Sequence, residues 1–213
     1  MGVATAHRHM NRQEHWNQIY QTKGTDDFSW YQRCPDFSLA LIAASGVSKD
    51  AGIIDVGGGA STLVDALLDD GYMHLAVLDL SGVALGHSRS RLGARANTVE
   101  WFEADVTSFN SPRRFGLWHD RAAFHFLTAA DDRRAYVATL RRTLQPGGAV
   151  VISTFALDGP SRCSGLDVMR YDERSILAEL GGEFRFQEFR RETHITPWKS
   201  EQRFNYFRFQ WQQ

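Results

Sequence analysis

Apolar positions along this chain fall into short unbroken runs, long alternations, and stretches with helical spacing between them. The runs at 52–56, 74–79, 98–103, 115–119 and 148–155 have the length and β-branched content of strands buried on both faces. Helical periodicity fills the intervals at 61–69, 82–94, 131–143 and 172–180. Upstream, 14–22 and 35–44 also read as helices, the second opening with Pro35 in a first-turn position, where its missing N–H costs nothing. Two aromatic-rich alternations, 184–193 and 204–211, close the chain as a strand pair. The Gln145-Pro146-Gly147-Gly148 turn ends one helix and launches a strand. Strands alternating with helices imply an α/β fold: a doubly wound, mostly parallel seven-stranded sheet with an antiparallel C-terminal edge hairpin and an N-terminal helical cap. The expected organisation is one domain over 1–213, with the cap at 1–45 and the core at 50–213.

Composition narrows the function. The 213 residues carry 24 Lys plus Arg against 25 Asp plus Glu, a balance that offers no global field for nucleic acid or an anionic membrane. No apolar segment approaches the roughly 20 residues that span a bilayer. Cys34 and Cys163 stand far apart outside any C-x-x-C pair, which fits a reducing cytoplasm. His119, His125 and His194 are too dispersed to read as a metal site, so no metal is expected. Met1 to His9 is polar and patternless and carries no functional weight in this reading.

Chemistry concentrates where the first strands end. Ile53-Ile54-Asp55-Val56 runs into Gly57-Gly58-Gly59, and Ser61 is placed to cap the next helix. The second strand ends in Asp79, whose carboxylate can accept hydrogen bonds from both hydroxyls of a ribose at the carboxyl edge of the sheet. The third glycine of the dinucleotide fingerprint G-x-G-x-x-G would fall at Thr62, so a pyrophosphate is not the natural ligand. An acid inside the strand followed by bare backbone suits a nucleoside cofactor with amino and carboxylate groups and no phosphate.

These features resemble motif I and the acidic second-strand end of the class I S-adenosylmethionine (AdoMet) methyltransferases, a family with a Rossmann-like core. Glu103-Ala104-Asp105-Val106 is similar to the family's third-strand motif, and the Leu144 to Ile152 segment to its turn before strand five; the likeness covers about 16–209. It implies AdoMet as cofactor, with Asp55 and Gly57 at the methionyl end, Gly59 in the glycine turn, Asp79 and Leu80 at the ribose, Asp105 and Val106 at the adenine, and His119 closing the fourth strand. Asp105 can also be read as an N-cap for the segment after it. His15-Trp16 and Tyr20 resemble the family's aromatic cap helix, which adds Trp16 and Tyr20 to the cofactor residues.

The acceptor end is less legible. Family members that act on nucleic-acid bases usually carry an Asn/Asp-Pro-Pro-aromatic motif after the fourth strand, and this chain has His119-Asp120-Arg121-Ala122 there. The run Asp120 to Phe124 looks similar to the thiopurine, halide and thiol methyltransferases, whose paired prolines after strand five are replaced here by Pro160-Ser161-Arg162. A soft nucleophile such as a thiol on a small-molecule acceptor is the activity this implies, with no nucleic-acid or membrane partner. Protein-lysine N-methylation and non-catalytic AdoMet binding are the alternatives. Arg121 and His125 are the catalytic candidates, four residues apart and on one face if the segment is helical. Arg121 would raise the thiolate fraction, and His125 would take a proton. Arg121 can equally be an ion-pair partner of Asp120, and His125 a structural histidine between Phe124 and Phe126. Trp30 and Tyr31 read as lid residues, Trp198 as a pocket wall or a core cover. Cys163 is inert, or lines the acceptor pocket, or joins Cys34 at a soft metal.

Overall fold

The computed structural model describes residues 2–22, 24 and 27–212, with side chains from Arg12 onward. Helix α1 runs over Gly2–Thr22 and α2 over Asp36–Ala44, with Pro35 one residue ahead at the N-cap. Strand β1 (Gly52–Val56) leads through α3 (Leu63–Asp69) to β2 (His74–Asp79), and α4 (Gly82–Leu92) with a short 3-10 turn leads to β3 (Val99–Glu103). Strand β4 (Phe115–Arg121), α5 (Ala130–Thr143) and β5 (Leu144–Phe155) follow. A two-residue ribbon, β6 (Arg162–Cys163) and β7 (Leu166–Asp167), precedes α6 (Glu173–Leu180), and β8 (Phe184–Ile195) and β9 (Glu201–Trp211) complete the fold. The ribbon had no periodic signal, being two residues long on each side.

The seven-stranded sheet has the order β3-β2-β1-β4-β5-β9-β8. Neighbours from β3 to β5 are parallel, and β9 runs antiparallel to both β5 and β8. Alternate residues of each strand feed two cores. Ile54, Val56, Leu78, Trp118, Val150 and Ile152 face α5 and α6. Ile53, Leu75, Val77, Leu117 and Val151 face α2, α3 and α4. All five residues of β1 are buried, as a strand covered on both faces requires. The alternating aromatics of β9 divide the same way, Phe204 and Tyr206 to one face and Phe207, Phe209 and Trp211 to the other.

Local signals set two helix ends: Ser81 Oγ accepts the Ala84 N–H at 3.2 Å, and Asp172 with Ser175 forms a capping box on α6. Helix α3 starts one residue later than expected, with Thr62 and not Ser61 at its N-cap, and Ser61 Oγ accepts the Leu63 N–H at 3.1 Å ahead of it. The Gln145-Pro146-Gly147-Gly148 segment differs from the expected free turn. It lies inside β5 as an irregularity, since Phe115 pairs with Leu144 and Leu117 already pairs with Ala149. Gly147 takes φ +72° there, a left-handed conformation that favours glycine. Helix α1 also begins well before the expected residue 14; of Met1 to His9, Met1 and the other side chains lie outside the described residues. No helix among the described residues is long and apolar enough to cross a membrane.

Consecutive strands step outward from β1 to β2 and β3, and the chain then returns to place β4 on the other side of β1. A crevice opens beyond the carboxyl ends of β1 and β4, where the winding reverses.

Candidate active site

Three glycines bring carboxylates and backbone together at the end of β1. Gly57 turns with φ +70°, and its N–H donates to the Leu78 carbonyl at 2.7 Å. A Cβ at Gly57 would stand 2.6 Å from Ala123 Cβ, one at Gly58 2.4 Å from Asp55 Oδ2, and one at Gly59 2.6 Å from Asp79 Oδ2. Any side chain here would push out an acid or the loop after β4.

Both acids are buried. Asp55 Oδ1 lies 2.7 Å from His119 Nδ1, and His119 Nε2 lies 2.9 Å from Ser38 Oγ. Asp55 Oδ2 has no protein partner, which leaves an acceptor open for a ligand donor. Asp79 Oδ1 accepts the Ser81 N–H at 2.8 Å. Burial raises its pKa to about 7, against the opposing pull of the Ser81 and Gly59 N–H groups and with a further push from the Asp55 charge.

Two adjoining cavities share Tyr20, Trp30, Gly57 and Arg121 as walls. The larger has Asp79, Leu80, Asp105 and Val106 at one end and Ala122, His125, Phe155, Cys163 and Phe204 at the other. The smaller is lined by Asp55, Gly58, Ser61, Thr62, His119 and Tyr31. The cap closes over both. Trp16 meets Phe126 at 4.9 Å and Trp30 at 5.9 Å, both edge-on, and Trp30 stacks on Phe28 at 4.9 Å. Tyr20 is buried, and its hydroxyl pKa is raised well above the ordinary value, by burial first and the Asp79 charge second. Asp105 both lines the larger cavity and turns the chain, its Oδ1 accepting the Thr107 N–H at 2.8 Å.

Most expected site residues therefore meet, with two exceptions. Gly59 lines neither cavity; it packs beneath Asp79 and Ala84. Trp198 sits in the β8–β9 turn, closed by Thr196 N–H to the Ser200 carbonyl at 2.9 Å, and is 56% exposed. It neither walls a pocket nor covers core, because the hairpin tip projects past both. Cys163 is buried at the larger cavity, whereas Cys34 is exposed, so the two do not form a site together. Among the described residues no group of three or more His, Cys, Asp or Glu is placed to hold a metal.

Arg121 and His125 do share a cavity wall, though not as two positions on a helix. Arg121 ends β4, Ala122 follows at φ +68°, and only 124–126 form a 3-10 turn. Asp120 holds this kink: its Oδ1 accepts the Ala123 N–H at 2.9 Å, and its Oδ2 accepts the Tyr136 hydroxyl at 2.7 Å. Tyr136 in turn accepts the Trp118 Nε1–H at 2.8 Å. Burial raises the Asp120 pKa to about 6 despite these donors. Left-handed backbone at a non-glycine residue costs about 1–2 kcal/mol, which this network offsets.

Asp120 is thus not the partner of Arg121. The Arg121 Nε donates to Tyr206 Oη at 2.8 Å and Nη1 to the Trp30 carbonyl at 2.9 Å, while Nη2 lies 3.8 Å from Glu192 Oε2. The guanidinium carbon sits 4.6 Å above the Phe204 ring. His125 is fully buried, and its Nδ1 accepts the Phe155 N–H at 3.3 Å. Burial, and then the Arg121 charge, lower its pKa to about 3. A group that weakly basic is poorly matched to taking a proton near neutrality, which turns against the expected role as base.

Sequence patterning missed Arg12, Asp120, Phe126, Phe155 and Phe204. Arg12 reaches the cavity from α1 and pairs with Asp132 at 2.9 Å. Phe155 and Phe204 face each other across the β5–β9 pair with centroids 4.7 Å apart. Phe155 was findable as the carboxyl end of a central strand; Phe204 was not, since in the sequence it is one alternating aromatic among many.

The methyltransferase-domain family matches residues 53–148, from β1 through the glycine segment of β5. A bovine protein, eEF1A lysine and N-terminal methyltransferase, is 22% identical over 150 residues; that match takes in 67% of this chain and spans 21% of the relative's length. N-methyltransferase NodS from Bradyrhizobium japonicum WM9, solved with S-adenosylhomocysteine (AdoHcy), superposes with TM-score 0.71 at 16% identity, over 92% of this chain and 98% of that one. The 1,6-didemethyltoxoflavin-N1-methyltransferase of Burkholderia thailandensis, solved with 1,6-didemethyltoxoflavin and AdoHcy, gives TM-score 0.68 at 18% identity, over 96% and 85%. At these identities the structural likeness is one of fold.

Proposed function

We propose that this chain, whose residues 53–148 match the methyltransferase-domain family, is a class I AdoMet-dependent methyltransferase that methylates a small-molecule acceptor held in the aromatic-walled half of the larger cavity. The cofactor supplies a methyl group on a sulfonium, displaced in line by a nucleophile. Asp55 Oδ2, an open buried acceptor, takes the methionyl ammonium, with Gly57 and Gly58 giving backbone access and His119 orienting Asp55. Asp79 takes the ribose hydroxyls, and Asp105 with Val106 the adenine edge. Trp16, Tyr20 and Trp30 close over the cationic centre, exclude water and present ring faces to positive charge. Arg121 and His125 line the acceptor side and position what enters there. His125 is too weakly basic to take a proton near neutrality, which favours an acceptor nucleophile that is already ionised, such as a thiolate.

The observation that supports this reading best is the aromatic lining of the larger cavity by Trp16, Trp30, Phe126, Phe155 and Phe204, which suits a flat small molecule. The names of the eEF1A-modifying relatives favour a second reading, a protein amine acceptor. Methyl-labelled AdoMet incubated with thiols, phenols, amines and carboxylates, and separately with cell protein, separates the two. Label in an extracted small product is expected; label confined to protein bands would replace the first reading with the second.

A further inference from the structure

Two N–H groups at the acceptor end lack a protein partner. His125 Nδ1 accepts the Phe155 N–H, so the single proton of the neutral ring resides on Nε2. That Nε2–H has no acceptor, and the residue is 0% exposed. Arg121, on the same cavity wall, commits Nε to Tyr206 and Nη1 to Trp30 and leaves Nη2 unpartnered. Glu192 does not take up that donor: its Oε1 accepts from Gln32 at 2.7 Å and its Oε2 from the Tyr206 hydroxyl at 2.7 Å, with Nη2 left 3.8 Å away. Arg121 is held on three sides by Tyr206, Trp30 and the Phe204 ring, so its free N–H cannot swing elsewhere.

An orphaned buried donor costs about 1–3 kcal/mol, and two in one cavity are a cost that a ligand acceptor would remove. The aromatic walls there, Phe126, Phe155 and Phe204, offer no side-chain acceptor. We propose that Arg121 Nη2–H and His125 Nε2–H form a two-donor seat for an anionic oxygen of the acceptor substrate, a carboxylate or ionised phenol on an aromatic or otherwise flat body. His125 then serves as a fixed hydrogen-bond donor and not as a base. This rests on the small-molecule reading above and names its substrate class.

Benzoate and benzyl alcohol, the same ring with and without the anion, test the seat by calorimetric titration into the AdoHcy-loaded protein. Benzoate is expected to bind at least tenfold tighter than the alcohol. Arg121→Met should erase that preference, and His125→Phe, which leaves the Arg121 contacts to Trp30 and Tyr206 in place, should reduce it severalfold with AdoHcy affinity within twofold. Nitrogen-15 spectra of the ring should place the His125 proton on Nε2 from pH 6 to pH 9, a readout that needs no ligand or variant. Equal affinity for the two probes or a proton on Nδ1 overturns the seat. Failure of the wild-type protein to bind AdoHcy would instead overturn the cofactor placement beneath it.

Discussion

Cofactor binding should release a proton from Asp79. Its folded pKa of about 7 lies well above the ordinary 3.8, because burial disfavours the charged carboxylate more than the Ser81 and Gly59 N–H groups support it. The unfolded chain gives up this proton first, so stability declines as pH rises from about 4 to about 7, and the group destabilises the fold above that window. Ribose hydroxyls donating to the carboxylate favour its ionised form and pull the proton off. With a pKa of about 7 in the free protein and one well below 6 in the complex, binding should release about 0.9 proton at pH 6, about 0.5 at pH 7 and about 0.1 at pH 8. AdoHcy affinity should then be about tenfold weaker at pH 6 than at pH 8. Calorimetry of AdoHcy in two buffers of different ionisation enthalpy gives the proton number directly. The control is Asp79→Asn, which keeps the shape and removes the titration. Proton release identical in wild type and Asp79→Asn at pH 6 and 7 would refute the assignment of ribose to Asp79.

Gly58→Ala places a methyl 2.4 Å from Asp55 Oδ2 and 2.9 Å from Val77 Cγ1, and should lower stability by about 1–3 kcal/mol in urea unfolding and weaken AdoHcy at least tenfold. Tyr136→Phe strands the Trp118 Nε1–H and leaves Asp120 Oδ2 with the Phe124 N–H alone; about 1–3 kcal/mol of stability should go, with a lower melting temperature. Trp198→Ala, at an exposed hairpin tip, should leave stability within about 0.5 kcal/mol and leave AdoHcy affinity unchanged, and a clear loss of either would return Trp198 to the site.

The chain by itself determined the sheet and which acids stand at its carboxyl edge, the end proposed to hold the cofactor. Buried parallel strands must be apolar on both faces, so Gly52–Val56 and His74–Asp79 announce themselves as runs, and an acid at the end of such a run stands at the carboxyl edge by geometry alone. Asp79 was legible for that reason, Asp55 as an acid set inside such a run, Asp105 through the resemblance to the family's third-strand motif, and Gly57 because a left-handed turn selects glycine. The acceptor half belongs to the tertiary structure. Phe155 and Phe204 become neighbours only through the antiparallel pairing of β5 with β9, across 48 intervening positions. Tyr206 and Phe204, which hold Arg121, come from the closing hairpin, so local spacing pointed to the adjacent Asp120 instead. The four-residue spacing sets Arg121 and His125 on one face only in a helix, whereas Asp120 and Tyr136 hold a left-handed kink at Ala122. The direction a proton points on His125 depends on a backbone N–H thirty residues away. Patterns along a chain record which face of an element is buried; they do not record which distant donor or acceptor meets a side chain there, because that is decided when separate elements pack.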